Sequence, residues 1–326
     1  MKLKTITVTG ATGFIGCQMV TFLKQKGHNV RAVVRKHYAL TRDQYEQADE
    51  VLVLDLTNYE DALKAVDGVD GIFHFAANMG GVGFFNAHNY TPFMDNMYMD
   101  MNVMKACKEK KVKRLFYPAS ACAYPIHIQA TEQETPKLKE DMLIPANADQ
   151  MYGWEKFIMI LLAKEAPFDV RVGILNTIFG EFQEWKGERA KFPPSIVYKV
   201  AQSKKTGKSI EIWGNGKQTR TFLYIEDALE KMYEVMIKEK YFGEVNIASD
   251  KIVTVQECAE WLCEIAGVKK NFTYDLSKPS GVLARGIDNS KFNKHYDYKE
   301  KYSTKDGFNK LYKWMTKEIK KEHIDE

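Results

Sequence analysis

Cysteine is scarce in this chain: Cys17, Cys107, Cys122, Cys258 and Cys263 are all that 326 residues contain. The number is odd and no C-x-x-C spacing occurs, which suits a reducing, cytoplasmic compartment better than a disulfide framework. Long apolar runs are also missing. None approaches the roughly 18 residues of a membrane span, and "MKLKTITVTGATGFIG" has no signal-peptide cleavage pattern, so no membrane partner is expected. Charge of one sign is not in excess, with 47 Lys and Arg against 43 Asp and Glu. The only lysine-rich stretch, "KWMTKEIKKEHIDE", reads as a solvated helix, which argues against a nucleic-acid partner. No His/Asp/Glu cluster has metal-ligand spacing, so no metal is expected. Internal repeats and low-complexity linkers are absent too. What remains is a soluble globular composition, 45% hydrophobic and 28% charged, able to bury a large core in one large domain or two interlocked ones.

Short apolar runs alternate with helical patterns through the first 120 residues: "KTITVTG", "GCQMVTFLKQKG", "NVRAVV", "YEDALKAVDG", "GIFHFAA", a long segment to Lys110, and "RLFYPAS". This alternation predicts an α/β fold, a doubly wound parallel sheet of Rossmann type. After "VRVGILNTIFGEF" the elements become scattered. The expected division is a dinucleotide-binding domain over residues 1–176 and a smaller α/β substrate-binding domain over 177–326, with some segments crossing back. The methionine-rich "NMYMDMNVM" reads as a core or subunit-contact helix, since its spacing follows helical packing.

Gly10, Gly13 and Gly16 in "GATGFIG" follow a strand and open a helix. Such a turn lets the backbone approach a pyrophosphate and aims a helix N-terminus at it, which predicts a nicotinamide dinucleotide, NAD or NADP. Expected cofactor contacts run through Gly10, Gly13, Phe14, Ile15 and Gly16, and onward to Leu56, Ala76 and Ala77. The acidic residue that would hold a ribose hydroxyl is replaced by "AVVRKH". There Arg35 and Lys36 can accept a 2′-phosphate, favouring NADP, or can simply be exposed charges at a strand end. Asp55 in "LVLDLT" can bond the adenine edge or shape a turn.

Tyr152 and Lys156 in "YGWEK" are four residues apart, on one helical face, where an ammonium can stabilise a phenolate. Ser120 lies upstream at the end of the strand "RLFYPAS". With a nicotinamide accepting hydride, Ser120 can bond a substrate hydroxyl and Tyr152 can take its proton.

On "GATGFIG", Ser120, Tyr152 and Lys156 the chain resembles the extended short-chain dehydrogenase/reductase superfamily, over essentially its whole length. The resemblance implies nucleotide-sugar substrates and a homodimer. It also gives Arg220 in "GNGKQTRTFLYIEDA" and Arg285 in "ARGID" as partners of the substrate diphosphate, with Asn176 and Trp213 as further substrate contacts. Sugar 4,6-dehydratases carry an acidic pair just after the serine, whereas this chain offers Ala121 and Cys122. A cysteine there is similar to the GDP-mannose 3,5-epimerase and GDP-fucose synthase families. "AANMGGVGF", with Gly80 and Gly81, and "VKRLFYPASACAYP" resemble the epimerase family. "WKGERAKFPPS" has no histidine, and its Lys191 matches the epimerase lysine. The implied reaction oxidises carbon 4 of a sugar, which makes the protons on carbons 3 and 5 removable, and Cys122 and Lys191 then transfer them on opposite ring faces. The cofactor is regenerated in each cycle and stays tightly bound. Asn78 stands before "MGG" where the family carries an acid, and in "ILNTIFGEF" Thr177 occupies the usual asparagine position, with Asn176 shifted by one place.

Overall fold

Four consecutive residues of the first strand, Ile6, Thr7, Val8 and Thr9, are all buried, so this strand has no solvent face. A strand with this pattern belongs in the middle of a parallel sheet covered on both sides. The computed structural model, which describes residues 3–131 and 134–322, places it there. Seven strands are involved: β1 (Thr5–Thr9), β2 (Asn29–Val34), β3 (Glu50–Val53), β4 (Gly71–His74), β5 (Arg114–Ser120), β6 (Asp169–Leu175) and β7 (Val245–Ile247). They lie in the order β7-β6-β5-β4-β1-β2-β3, with every pairing parallel. The order reverses between β1 and β4, which opens a crevice beyond their C-terminal ends where ligands bind in such sheets.

The helices that position the site are α1 (Phe14–Gln25), α2 (Tyr59–Val66), α3 (Tyr90–Glu109), α4 (Gln150–Lys164), α5 (Phe192–Thr206), α6 (Ile225–Ile237), α7 (Val255–Ala266) and α8 (Thr304–Glu322). Their ends carry local signals. Asn58 caps α2 by accepting from Glu60 N, and α7 starts with a Thr254–Glu257 capping box and stops at left-handed Gly267.

Each face of the sheet has its own core. One gathers Val33, Val66, Ile72, Val103, Leu115, Tyr117 and Ile160 under α2, α3 and α4. The other starts at Ile6, Val8 and Val20 and runs without a break through Phe179, Phe222 and Met232 to Phe308 and Met315 in α8. The second half of the chain is thus built onto the first. It also returns a strand to the main sheet, because β7 pairs with β6 in the register Val245↔Gly173 to Ile247↔Leu175. The rest of that half adds small pairs, Ile210–Trp213 parallel to Phe272–Asp275 and Thr219–Thr221 antiparallel to Ile252–Thr254. Among the described residues no helix is long and apolar enough to cross a membrane.

Candidate active site

The glycines of the first turn are fixed by close approach. Gly10 has φ +62°, and a Cβ there would lie 2.6 Å from the Phe75 carbonyl oxygen. A Cβ on Gly16 would come within 2.2 Å of the Gly10 carbonyl. Gly13 N donates to Gly10 O at 2.9 Å, closing the turn. Helix α1 therefore begins pressed against β1, with Phe14 and Ile15 in a first turn that carries no acidic side chain. Its free amides face the crevice, a setting that fits a dinucleotide pyrophosphate. Across the crevice Ala76 N donates to Thr9 Oγ1 at 3.1 Å, which holds the backbone of Ala76 and Ala77 beside the turn, and Leu56 is buried at the end of the third strand segment. Arg35 and Lys36 are exposed beyond β2. Asp55 Oδ1 accepts from Thr57 N at 3.0 Å and Thr57 Oγ1 at 2.8 Å, which shapes the turn that follows β3.

Strand β5 ends at Ser120, whose Oγ accepts from Cys122 N at 3.2 Å and lies near enough to the Tyr152 hydroxyl to favour its ionised form. Helix α4 reaches this turn because residue 153 is glycine: a Cβ there would sit 2.3 Å from the Cys122 carbonyl oxygen. Asp149 N donates to the same carbonyl at 2.9 Å. Tyr152 stacks on Phe85 with ring centroids 4.7 Å apart, and Lys156 Nζ lies 5.7 Å from the Tyr152 centroid. Burial raises the Tyr152 pKa, while the Lys156 ammonium and the Ser120 hydroxyl pull it down. Beneath Tyr152, Lys156 Nζ lies 2.7 Å from Glu155 Oε1 and donates to Tyr117 OH at 2.9 Å. Tyr117 OH contacts Asp100 Oδ2 at 2.7 Å, and His74 Nε2 lies 3.0 Å from Asp100 Oδ1.

Cys122 opens the other half of the site. Its Sγ accepts from Arg285 NH1 at 3.3 Å, and Arg285 also bonds Asp149 and the buried Gln129. Lys191, immediately before α5, and Arg220 both feel the Cys122 sulfur. Water reaches the Lys191 side chain, yet the cleft walls strip enough solvent from its ammonium to lower its pKa, with Cys122 opposing. Burial, followed by the like charge of Arg285, lowers the Arg220 pKa. Backbone carbonyls hold Arg220 in place, Val282 O at 2.6 Å and Thr219 O at 2.7 Å. Two guanidinium groups meeting with little acid between them suit a dianionic ligand.

The Lys191 segment is docked by the glycine loop. A Cβ on Gly81 would lie 2.6 Å from Ala190 O, and one on Gly80 would strike the Phe84 ring. Arg189 bonds Asn78 Oδ1 at 3.0 Å and lies 4.0 Å over the Phe84 ring, so the asparagine before "MGG" has a partner. Buried Asn176 donates to Thr221 Oγ1 at 2.8 Å, next to Arg220. Trp213 ends its strand with Nε1 on Glu211 at 2.8 Å, and neighbouring Gly214 packs on Ser280, whose carbonyl accepts from Arg220.

Sequence reasoning brought out Ser120, Cys122, Tyr152, Lys156 and Lys191, but it missed the layer below them, made of His74, Asn96, Asp100, Tyr117 and Glu155. Tyr117 looked like an ordinary core residue of "RLFYPAS". The one available signal was Glu155 directly before Lys156 in a segment otherwise turning apolar.

A parallel sheet with a glycine turn at its switch point and a Ser-Tyr-Lys set one strand away defines a nicotinamide-dependent enzyme. Residues 6–248 match the NAD dependent epimerase/dehydratase family, and the chain belongs to that family. Over 322 residues it is 33% identical to GDP-mannose 3,5-epimerase of Arabidopsis thaliana, covering 97% of this chain and 83% of the relative. GDP-L-colitose synthase of Yersinia pseudotuberculosis is 25% identical over 96% of this chain and 98% of its own length. Among solved structures, UDP-glucose 4-epimerase of Thermotoga maritima superposes with a TM-score of 0.84 over 97% of this chain and 99% of that one, at 20% identity.

Proposed function

We propose that the protein epimerises carbon 3, carbon 5 or both of GDP-mannose or a related GDP-sugar through a transient 4-keto intermediate. The observation that carries this reading is that Cys122 lies within electrostatic reach of both Lys191 and Tyr152, two residues beyond Ser120. The 33% identity to a GDP-mannose 3,5-epimerase supports it.

Tyr152, activated by Lys156 and aligned by Ser120, withdraws the proton of the 4-hydroxyl. A nicotinamide held through the Gly10–Gly16 turn would supply the hydride acceptor for carbon 4 and the donor that restores it. With a carbonyl at carbon 4, the neighbouring C–H bonds become acidic enough for a side chain to act. Cys122 and Lys191 then serve as a base and acid pair, one removing a proton and the other returning one to the opposite face; partial desolvation of Lys191 moves its pKa toward the working range. Arg220 and Arg285 receive the diphosphate, with Trp213, Asn176, Gly80 and Gly81 around the remainder of the ligand.

Deuterated water tests this directly. GDP-mannose incubated with the protein should gain deuterium at carbon 3 or 5 together with new stereoisomers, read by NMR of the ring protons. A second reading, an NADPH-consuming reductase or epimerase-reductase of a 4-keto sugar, draws on exposed Arg35 and on the likeness to GDP-L-colitose synthase. Stoichiometric loss of NADPH with a 4-keto substrate would select it.

We also assign a homodimer joined through α3 and α4. Tyr98 (53% exposed), Met101 (52%), Leu161 (41%) and Leu162 (40%) leave an apolar surface on these adjacent helices.

A further inference from the structure

We infer that Glu155 is a positioning residue for the oxidation step: it seats the Lys156 ammonium under Tyr152, and gain or loss of its proton changes the charge that Lys156 presents to the phenol. The inference rests on the reading of Tyr152 and Lys156 as the oxidation pair.

Lys156, Glu155 and Asp100 are all buried, and removing such ions from water is costly before any pairing offsets it. A cluster of this kind is a poor route to stability. Its geometry is directed instead. Glu155 Oε1 lies 2.7 Å from Lys156 Nζ, and Glu155 Oε2 accepts from Asn96 Nδ2 at 3.1 Å. Tyr117 OH sits between the two carboxyl groups, 2.7 Å from Asp100 and 3.0 Å from Glu155. The hydroxyl has one proton and already accepts from Lys156, so it cannot donate to both carboxylates at once. A proton on one of the two resolves this conflict.

Every neighbouring element contributes to the choice of proton site. Helix α3 supplies Asp100 and the Asn96 donor, β5 supplies Tyr117, β4 places His74 behind Asp100, and α4 itself carries Lys156 and Tyr152. Asp100 is pulled toward its charged form by Lys156 and His74 against the cost of burial, and its carboxyl pKa falls. Glu155 goes the other way: burial, with Asp100 adding to it, pushes its carboxyl up to about 7. Below that range Glu155 is neutral and Lys156 acts on Tyr152 with only Asp100 to balance it. Above it a second carboxylate offsets Lys156, and the phenol gives up its proton less readily.

The test needs no sugar in its first part. In full-length protein labelled with nitrogen-15 at lysine Nζ, the Lys156 signal, identified by its loss in Lys156→Gln, should move with a single midpoint near neutral pH. Glu155→Gln should flatten that titration. Asn96→Ala, which removes a donor that favours the charged carboxylate, should raise the midpoint by about half a unit, and it decides the matter if Glu155→Gln fails to fold. A Lys156 signal flat in the native protein, or still titrating in Glu155→Gln, overturns the inference. In the second part, the rise of deuterium entry into GDP-mannose with pH should, above neutral pH where native Glu155 is charged, shift down by about one unit in Glu155→Gln and return in Glu155→Asp, while below neutral pH the profiles should coincide. A fixed profile beside a moving Lys156 signal would break the link to Tyr152. No deuterium entry in native protein would reject the proposed substrate while the lysine titration still judged Glu155.

Discussion

The two halves of the site are built by opposite means. Ser120, Tyr152 and Lys156 stand on the end of β5 and on α4, over a buried layer in which Lys156, Tyr117, Asp100 and Glu155 all have partners. Cys122, Lys191, Arg220 and Arg285 come from turns and short strands around an open cleft, and cations predominate there. A step common to a whole family can be set permanently into the core, because its geometry never has to change. Steps that depend on which ligand is held are better served by groups on turns and short strands, some of them, like Lys191, within reach of water, whose charge a ligand completes.

The sharpest way to break this comparison is Tyr152→Phe, which should lower deuterium entry at every carbon by about 1,000-fold, since both halves wait on oxidation. Cys122→Ala should cut inversion by about 100-fold or more yet leave oxidation at carbon 4, seen as a transient rise in nicotinamide absorbance; inversion at the native rate would falsify the assigned mechanism. Arg220→Ala should raise KM for the nucleotide sugar by about 10 to 100-fold with a smaller change in kcat, the signature of lost ground-state binding. Gly153→Ala should lower stability by about 2 kcal/mol through the clash with Cys122 O, read as a fall in Tm of several degrees. The smallest effect is expected for Arg35→Ala, at the exposed end of β2: about 5-fold weaker NADP binding with NAD little changed, measured by titration of both cofactors.

The central sheet was readable from sequence because each strand is an apolar run between turn residues and each helix has a face with period 3.6. β1, β2, β4 and β5 fall where "KTITVTG", "NVRAVV", "GIFHFAA" and "RLFYPAS" put them, while β3 (Glu50–Val53) ends two residues before Asp55 and shares only Leu52 and Val53 with "LVLDLT". The glycine turn was equally open to reading, since Gly13 and Gly16 answer to the Gly10 carbonyl within their own seven-residue segment, although the close approach that fixes Gly10 comes from Phe75 O on the neighbouring strand. What stayed hidden depends on pairs far apart in the chain. Asp100 and Tyr117 meet only because α3 lies across β5, and Arg189 finds Asn78 across 111 residues. No local pattern marks a tyrosine as polar scaffolding rather than core. Gly153 was passed over for a related reason: its need for a bare backbone comes from Cys122 O, a neighbour that only the folded chain supplies.

The short turn Ala121–Ala123, capped by Ser120, sets the residues proposed for two different steps, Ser120 and Cys122, two positions apart. Ser120 Oγ holds the turn through Cys122 N, while the Cys122 thiol meets Arg285 and the Cys122 carbonyl receives Asp149 N at the start of α4. A change at residue 122 therefore alters only a side chain at the rim, because the contacts that anchor this turn to α4 are made by main-chain atoms. The oxidising apparatus would survive such a change intact. The turn works like an interchangeable fitting: its side chain can be swapped at position 122 while the main-chain joint to α4 stays closed.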